Sequence, residues 1–174
     1  MLDWDDKFIN KLKELGINTD IYKRYVDDIF TGLNFINKGW SFRDNRMVFS
    51  EHDKMNDDKP DEIRTAEILV NIANTIDPNI QLTWDVPSRN INNRMPVLDL
   101  ELWVKDNVIY HSFYKKKVSS QYTILKRSAL SYSIKKNTML QEALRRLGNI
   151  SSGLPKEETT KVMTKYSNML RISG

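Results

Sequence analysis

Hydrophobic positions along this 174-residue chain change their period several times, which predicts helices alternating with hairpins. Between Asp3 and Leu15, apolar side chains recur every three or four residues, as in an amphipathic helix, and Gly16 suits the position after its end. Residues 61–76, which follow a proline, show the same spacing. We therefore expect a helix over each of these two stretches.

Alternating or β-branched stretches lie between and after these helices and predict strands. Ile21 to Leu33 indicates a hairpin with Asp27 and Asp28 at its turn, because aspartate tolerates turn geometry. Further strands are expected at 40–42 and 47–49, which pair with each other, at 80–84, and at 97–104 and 108–114, which form a second hairpin around 105–107.

The period becomes helical again after Ser131. One predicted helix ends at Gly148 and carries an apolar stripe of Met139, Leu140, Ala143, Leu144 and Leu147. The next begins near Pro155 and has an apolar face of Val162, Met163, Tyr166, Met169 and Leu170. The order of helices and hairpins predicts an α+β fold with a small antiparallel sheet.

Composition narrows the class of protein. The chain is long enough for one core, or for one core and a small satellite. It has no cysteine, which excludes disulfides and thiolate metal sites. It also has no apolar run near the length of a membrane span, and the acidic first six residues do not resemble a secretory signal. We therefore expect an intracellular protein without a membrane partner.

The net charge of +4 conceals an asymmetry along the chain. Residues 1–100 hold 13 Lys and Arg against 18 Asp and Glu, whereas residues 101–174 hold 14 against 5. One half is suited to cations and the other to a polyanion. Two ordinary solvated surfaces would give the same counts, so charge alone leaves both interpretations open.

The tetrapeptide Tyr25-Val26-Asp27-Asp28 is the strongest candidate for chemistry. Adjacent carboxylates at a hairpin tip repel each other, and a divalent cation such as Mg²⁺ or Mn²⁺ relieves that repulsion. Template-directed nucleotidyl transfer uses two such ions roughly 3.5–4 Å apart. Asp27 and Asp28 are therefore candidate catalytic and metal-binding residues. The alternative is an exposed Asp-Asp turn without a ligand.

Basic residues interleaved with tyrosines form the second candidate site. Lysine and arginine contact phosphates irrespective of sequence, and tyrosine rings stack on bases or sugars. A solvated basic surface with tyrosines in the core is the alternative. The candidate nucleic-acid-binding residues are Tyr25, Tyr110, Tyr114, Lys115, Lys116, Lys117, Lys126, Arg127, Lys135, Lys136, Arg145 and Arg146.

These motifs together resemble the reverse transcriptases, the RNA-directed DNA polymerases of retroelements. Tyr25-Val26-Asp27-Asp28 is similar to the metal-binding hairpin of the palm, and residues 96–102 followed by 110–116 are similar to the primer-grip hairpin. Residues 120–128 and the basic segment to 146 resemble the start of the thumb. The Leu-Asp-Leu at 98–100, with Phe-Tyr-Lys at 113–115, is most similar to Penelope-like and related enzymes.

The resemblance implies a partial polymerase palm over residues 1–115, followed by a basic helical thumb segment over 116–174. It implies that Asp27 and Asp28 bind Mg²⁺ or Mn²⁺ and that Tyr25 lies near the primer terminus. The implied partners are an RNA–DNA or RNA template–primer duplex and, once the palm is complete, deoxynucleoside triphosphates.

The chain departs from the family in one respect. Reverse transcriptases carry a third metal-binding aspartate on a strand well before this hairpin, whereas only 24 residues precede Tyr25. The aspartates available there lie outside an apolar strand, so no third ligand is assigned: Asp3, Asp5, Asp6 and Asp20. We therefore expect a fragment or subunit that is inactive alone and needs an N-terminal palm and fingers portion in cis or in trans. A non-catalytic nucleic-acid-binding module or remnant derived from a retroelement is the alternative, and an interaction protein with an acidic partner is a third.

Overall fold

The structure is a computed structural model that describes residues 2–116 and 124–173. The backbone divides into two compact units, Met1–Arg89 and Asn90–Gly174. The division predicted after residue 115, between a partial palm and a basic helical thumb segment, stays a prediction. Within the described residues the fold is α+β, with five α-helices and antiparallel sheets of two, two and three strands.

The first unit contains three helices and two separate hairpins. Both predicted hairpins are confirmed, including the pairing of the short strands on either side of Asp44 and Asn45. The short helix α2 was not predicted; the Ser50 hydroxyl accepts a hydrogen bond from the Asp53 amide and caps it. The elements are α1 (Leu2–Glu14), β1 (Thr19–Tyr25), β2 (Asp28–Leu33), β3 (Trp40–Arg43), β4 (Arg46–Phe49), α2 (Glu51–Asn56) and α3 (Asp61–Asn74), followed by a 3₁₀ turn over Pro87–Arg89.

The core of this unit forms between α1 and α3. The apolar face predicted for α1 is confirmed at Trp4, Phe8 and Leu12, where burial of large side chains contributes most. The face predicted for α3 is confirmed only at Leu69 and Ala73. Ile68 and Ile72 are buried in place of the predicted Ile63, Ala66 and Val70. Partly buried side chains from β1, β2, β3 and β4 pack against it, Ile29 among them. The buried cluster consists of Trp4, Phe8, Leu12, Ile17, Ile68, Leu69, Ile72 and Ala73.

The strand expected over residues 80–84 is wrong. Ile80 and Leu82 do pack against the core on alternate positions, which explains the strand-like pattern. No strand of residues 2–116 and 124–173 pairs with this segment; its Leu82 backbone bonds with the Asn74 side chain instead. The Leu82 amide donates to Asn74 Oδ1 at 2.7 Å, and Asn74 Nδ2 donates to the Leu82 carbonyl at 3.4 Å.

The second unit consists of a three-stranded antiparallel sheet and two helices. The helices begin and end close to their predicted bounds, and the Ser131 hydroxyl accepts a hydrogen bond from the Ile134 amide at the start of α4. The sheet order is β5-β6-β7. The elements are a 3₁₀ turn (Ile91–Asn93), β5 (Met95–Val97), β6 (Leu100–Lys105), β7 (Val108–Phe113), α4 (Tyr132–Gly148) and α5 (Lys156–Ser173).

Two predictions for this unit are wrong. The single strand expected over 97–104 is interrupted by a turn at Leu98 and Asp99, which pairs β5 back onto β6. The apolar stripe of α4 is largely exposed, with Leu140 and Leu144 each 52% accessible. α4 buries Arg146 instead, because ring faces and a carboxylate surround its guanidinium. The predicted face of α5 is confirmed at Val162, Tyr166 and Met169.

Candidate metal-binding hairpin and basic surface

The Tyr-Val-Asp-Asp segment forms the tip of the first hairpin. Strands β1 and β2 pair antiparallel up to Tyr25 opposite Asp28, which leaves Val26 and Asp27 as a two-residue turn. Asp27 thus lies in the turn as predicted, whereas Asp28 is the first residue of β2. All four residues of the segment are exposed. Both carboxylates are therefore accessible to a ligand from solvent.

The register assigns each residue near the tip to one face of the hairpin. Directly paired residues share a face, and neighbours along a strand alternate. Arg24 pairs with Ile29, which packs against the core, so this face is turned toward the core. Tyr25 and Asp28 lie on the opposite, outer face. The hairpin therefore presents one carboxylate beside an exposed tyrosine.

Val26 has an unfavourable backbone conformation. Its φ is 56°, in the left-handed region that β-branched residues rarely adopt. Two-residue hairpin turns need positive φ and usually obtain it from glycine, asparagine or aspartate. The chain follows that rule at Asp44-Asn45 and Asp106-Asn107, whose four φ values are all positive. Strain of this kind concentrates at functional sites, and at Val26 it falls beside the two candidate ligands.

An arginine braces this turn from the core side. Arg24 Nε donates to the Val26 carbonyl at 2.8 Å, and its Nη1 donates to Asp5 Oδ1 of α1 at 2.7 Å. The Tyr22 hydroxyl donates to the same Asp5 oxygen at 2.6 Å. Burial opposes the charge on Asp5, but the hydrogen bonds from Tyr22 and Arg24 outweigh it and hold the pKa of Asp5 below its ordinary value. Burial, together with donation to Asp5, raises the pKa of Tyr22.

Asp27 and Asp28 offer oxygen donors of the kind that Mg²⁺ prefers. Mg²⁺ takes six oxygen ligands and keeps several waters, so two carboxylates on a rigid turn suit part of its shell. Residues 2–116 and 124–173 contain no group of three or more His, Asp or Glu side chains arranged to hold a metal. Asp5, one of the four aspartates that precede the hairpin, is engaged by Arg24 and Tyr22. A further carboxylate would have to come from elsewhere.

Five of the predicted basic residues are exposed: Lys116, Lys126, Arg127, Lys136 and Arg145. An exposed ammonium or guanidinium can reach a phosphate without first leaving a buried partner. Tyr25 is 63% exposed, so its ring is open to stacking. Lys117 lies outside the described residues, as does the predicted thumb segment around Tyr122.

Lys115, Lys135, Arg145 and Arg146 make side-chain contacts within the second unit. Lys135 Nζ donates to the carbonyls of Lys126 and Ser128, and so holds the loop before α4. Arg145 pairs with Asp99 and Glu142, and Arg146 is 4% exposed and pairs with Glu142. Lys115 Nζ lies 2.9 Å from Met169 Sδ, and burial beside Arg146 lowers its pKa.

The two tyrosines of the second sheet also have structural contacts. Tyr110 is half-buried and stacks on Trp103, with 6.0 Å between ring centroids. Tyr114 is half-buried, and its amide donates to the Asp99 carbonyl at 2.7 Å. Both residues thus support the sheet, and Tyr110 shares its ring face with Trp103.

Sequence reasoning missed the brace of Asp5, Tyr22 and Arg24. Arg24 stands two residues before Val26, which is a usable signal because the two lie at the end of one hairpin. The alternation of β1 places Tyr22 and Arg24 on one face, which is a second signal. The partner Asp5 had no signal, since its role depends on how α1 packs against the hairpin.

The charge asymmetry follows the division into compact units. The first unit holds 12 Lys and Arg against 17 Asp and Glu, and the second holds 15 against 6. No helix in the described part of the chain is both long and apolar enough to span a bilayer. Comparisons with protein-family models, curated proteins and solved structures found no match to this chain.

Proposed function

We propose that this chain is part of an RNA-directed DNA polymerase and that Asp27 and Asp28 bind the divalent metals of nucleotidyl transfer. The observation that carries the proposal is the Tyr-Val-Asp-Asp turn itself, which is exposed, strained at Val26 and braced by Arg24. Aspartate and asparagine form two other hairpin turns of the described residues, whereas Leu98 at the β5–β6 turn is strained like Val26. The pair of adjacent carboxylates, rather than the strain alone, distinguishes the Val26 turn.

The hairpin would contribute two carboxylates to the metal site. Mg²⁺ or Mn²⁺ at this position supplies a Lewis acid for the phosphate and activates the attacking hydroxyl. Asp27 and Asp28 would hold it, and Tyr25 on the outer face beside Asp28 would contact the primer end. Arg24 lies on the opposite face of the hairpin and would not contact the substrate.

The second unit would bind the template–primer duplex through its backbone. The second unit carries an excess of positive charge, whereas the first unit is acidic, and a basic surface is expected of a protein that binds a polyanion. The exposed Lys116, Lys126, Arg127 and Lys136 are the residues best suited to phosphates. We leave Arg146 out of this surface because its guanidinium is enclosed.

Catalysis would require a third carboxylate and the remaining palm and fingers, supplied in cis or in trans. The test is primer extension on an RNA template by the chain combined with a palm and fingers portion of a Penelope-like enzyme. We expect metal-dependent extension with that portion present and none without it. Asp27→Asn and Asp28→Asn should each reduce the rate by at least about a hundredfold, as loss of a metal ligand does in such sites.

Asp106→Asn is the matched control. Asp106 is also an exposed aspartate in a two-residue hairpin turn, but lies in the second sheet and has no carboxylate beside it. This variant should extend primers at the wild-type rate. Restored extension that survives both Asp27→Asn and Asp28→Asn would refute the metal assignment.

A non-catalytic nucleic-acid-binding module is the second candidate function. Two observations favour it: the described residues hold no group of three or more His, Asp or Glu side chains arranged around a metal, and the second unit is basic. It predicts duplex binding that weakens steeply with salt but ignores Mg²⁺ and the substitution of both aspartates. Fluorescence anisotropy with an RNA–DNA duplex at several salt concentrations measures this. Binding that is absent even at low salt would exclude it.

A further inference from the structure

The strained Val26 turn depends on contacts outside the turn. A two-residue turn made of Asp and Asn adopts positive φ readily, and within the described residues neither Asp44-Asn45 nor Asp106-Asn107 has a side-chain hydrogen bond to support it. Val26 lacks that intrinsic preference. Its φ of 56° must therefore be maintained by neighbouring groups.

Arg24 is the group in position to maintain it. The carbonyl that accepts from Arg24 Nε belongs to the peptide that joins Val26 to Asp27. A donor held on that oxygen fixes the plane of the peptide, and with it the direction in which Asp27 leaves the turn. The same guanidinium is tied to Asp5 in α1, and the side chains of Arg24 and Asp5 are 14% and 17% exposed. The hydrogen bond to Val26 is thus anchored in the core rather than in the hairpin.

A comparable arrangement occurs at the other turn that begins with an apolar residue. Leu98 has a φ of 54°, and the following Asp99 pairs with Arg145 of α4. The Leu98 turn therefore also has an arginine contact, but Arg145 pairs with the Asp99 carboxylate, whereas Arg24 donates to the Val26 carbonyl. The two Asp-Asn turns, whose residues suit the geometry, have none among the described contacts.

We infer that Arg24, anchored by Asp5 and Tyr22, is a positioning residue that holds the Val26–Asp27 peptide in the left-handed turn and so aims the two carboxylates. The link to metal binding rests on the proposed function, whereas the effect on Val26 does not. The inference assigns Asp5 to this brace rather than to the metal. A valine can then be retained at the turn because the arginine offsets its strain.

The test measures Val26 directly by NMR in the full chain. A residue with positive φ gives a strong NOE between its own amide and α protons, and this cross-peak should be strong for Val26 in the wild type. In Arg24→Gln it should weaken as the turn leaves the left-handed region. In the double variant Arg24→Gln/Val26→Asn it should return at residue 26, because asparagine tolerates that region without a brace.

Controls separate a positioning role from a general loss of structure. Lys7→Gln removes the exposed ion pair with Asp3 in the same helix and should leave the Val26 cross-peak unchanged. Amides of α3 report whether the first unit remains folded. If Arg24→Gln unfolds it, Asp5→Asn frees the guanidinium without altering the hairpin and should weaken the Val26 cross-peak in the same way.

Mn²⁺ titration provides the second readout. Broadening of the Asp27 and Asp28 amides should need about tenfold more Mn²⁺ in Arg24→Gln than in the wild type, the usual effect of removing a group that orients metal ligands. Absence of Mn²⁺ broadening in the wild type would contradict the proposed function. The role of Arg24 would then be tested by the Val26 cross-peak alone. A left-handed Val26 that persists in folded Arg24→Gln would overturn the inference.

Discussion

Arg146 and Arg145 offer a direct comparison of a buried and an exposed arginine that share one carboxylate. Both donate to Glu142, but the Arg146 side chain is 5% exposed and the Arg145 side chain 44%. The Arg146 guanidinium also lies 4.3 Å from the Phe113 ring centroid and 4.8 Å from that of Tyr166. We predict that Arg146→Ala destabilises the second unit far more than Arg145→Ala.

The magnitude follows from these contacts. Two cation–π contacts in a desolvated site contribute about 1 kcal/mol each. Breaking a buried ion pair costs roughly 3–5 kcal/mol, but Arg145 still pairs Glu142, which lowers the loss. We expect Arg146→Ala to lower the free energy of unfolding by about 3 kcal/mol, in line with removal of a buried charge partner. Arg145→Ala should cost about 1 kcal/mol or less, as for an exposed pair.

The assay is urea unfolding followed by the amide cross-peaks of Val162 and Tyr166, which report on the second unit. Arg146→Met should lower the free energy of unfolding by only about 1 kcal/mol, less than Arg146→Ala, because it keeps the apolar stem and removes the charge. Equal losses for Arg146→Ala and Arg145→Ala would refute the reasoning that burial decides the contribution of each arginine.

Three further predictions concern the first unit. Asn74→Ala should lower the free energy of unfolding by about 1–3 kcal/mol and speed hydrogen exchange of the Leu82 amide, because both backbone groups of Leu82 lose their partner. Asn79→Ala, in an exposed turn, is the control. Equal effects of the two substitutions would contradict the role of Asn74. The stabilisation from Asp5 should be complete above its ordinary pKa of 3.8 and should decline as pH falls through the lower folded pKa. The unfolding free energies of wild type and Asp5→Asn should therefore converge below pH 3.8, and a gap that is constant with pH would contradict this. Gly39→Ala should lower the free energy of unfolding by about 1–3 kcal/mol, because the φ of Gly39 is 90° and a Cβ there would lie 2.7 Å from Phe49 Cε2. Gly148→Ala meets nothing within 4 Å and should change thermal stability by about 0.5 kcal/mol or less; a similar loss at both glycines in thermal unfolding would be inconsistent with the clash.

Helices and hairpins with strong local signals could be predicted from the sequence. The apolar spacing of α1 matches the face that it buries, and the turns at Asp44-Asn45 and Asp106-Asn107 have residues that favour positive φ. In these cases the local preference and the tertiary packing agree, so a pattern is sufficient.

The errors arise where a tertiary contact replaces a local preference. Residues 80–84 alternate like a strand, but the side chain of Asn74 satisfies Leu82 and no strand lies beside it. The leucines of α4 suggested the buried face, whereas aromatic rings and Glu142 make Arg146 the buried residue. The turn at Leu98-Asp99 begins with an apolar residue, which is no signal for a turn. Asp99 makes an ion pair with Arg145 and accepts a hydrogen bond from the Tyr114 amide.

The candidate site also combines features that a local sequence signal predicts with features that depend on tertiary contacts. The place of Asp27 and Asp28 at the hairpin tip could be predicted from the tetrapeptide, because aspartate tolerates turn geometry. Their binding of a cation stays a prediction. The left-handed Val26 and its brace could not be predicted, since they depend on Asp5 from a separate helix. The functions of Lys135 and Arg146 within the second unit were equally hidden, because a basic residue has the same letter whether it contacts phosphate or a neighbouring carbonyl.

The central claim, that Asp27 and Asp28 form a divalent-metal site, is tested most directly by Mn²⁺-induced broadening of amide signals in the wild-type chain. We expect broadening at residues 25–29 at the lowest Mn²⁺ concentrations, competed by Mg²⁺ and lost in the Asp27→Asn/Asp28→Asn variant. The turn at Asp106 should respond only at much higher Mn²⁺, because a single exposed aspartate binds a cation weakly. Broadening that is equal at both turns, or that persists in the double variant, would contradict the claim.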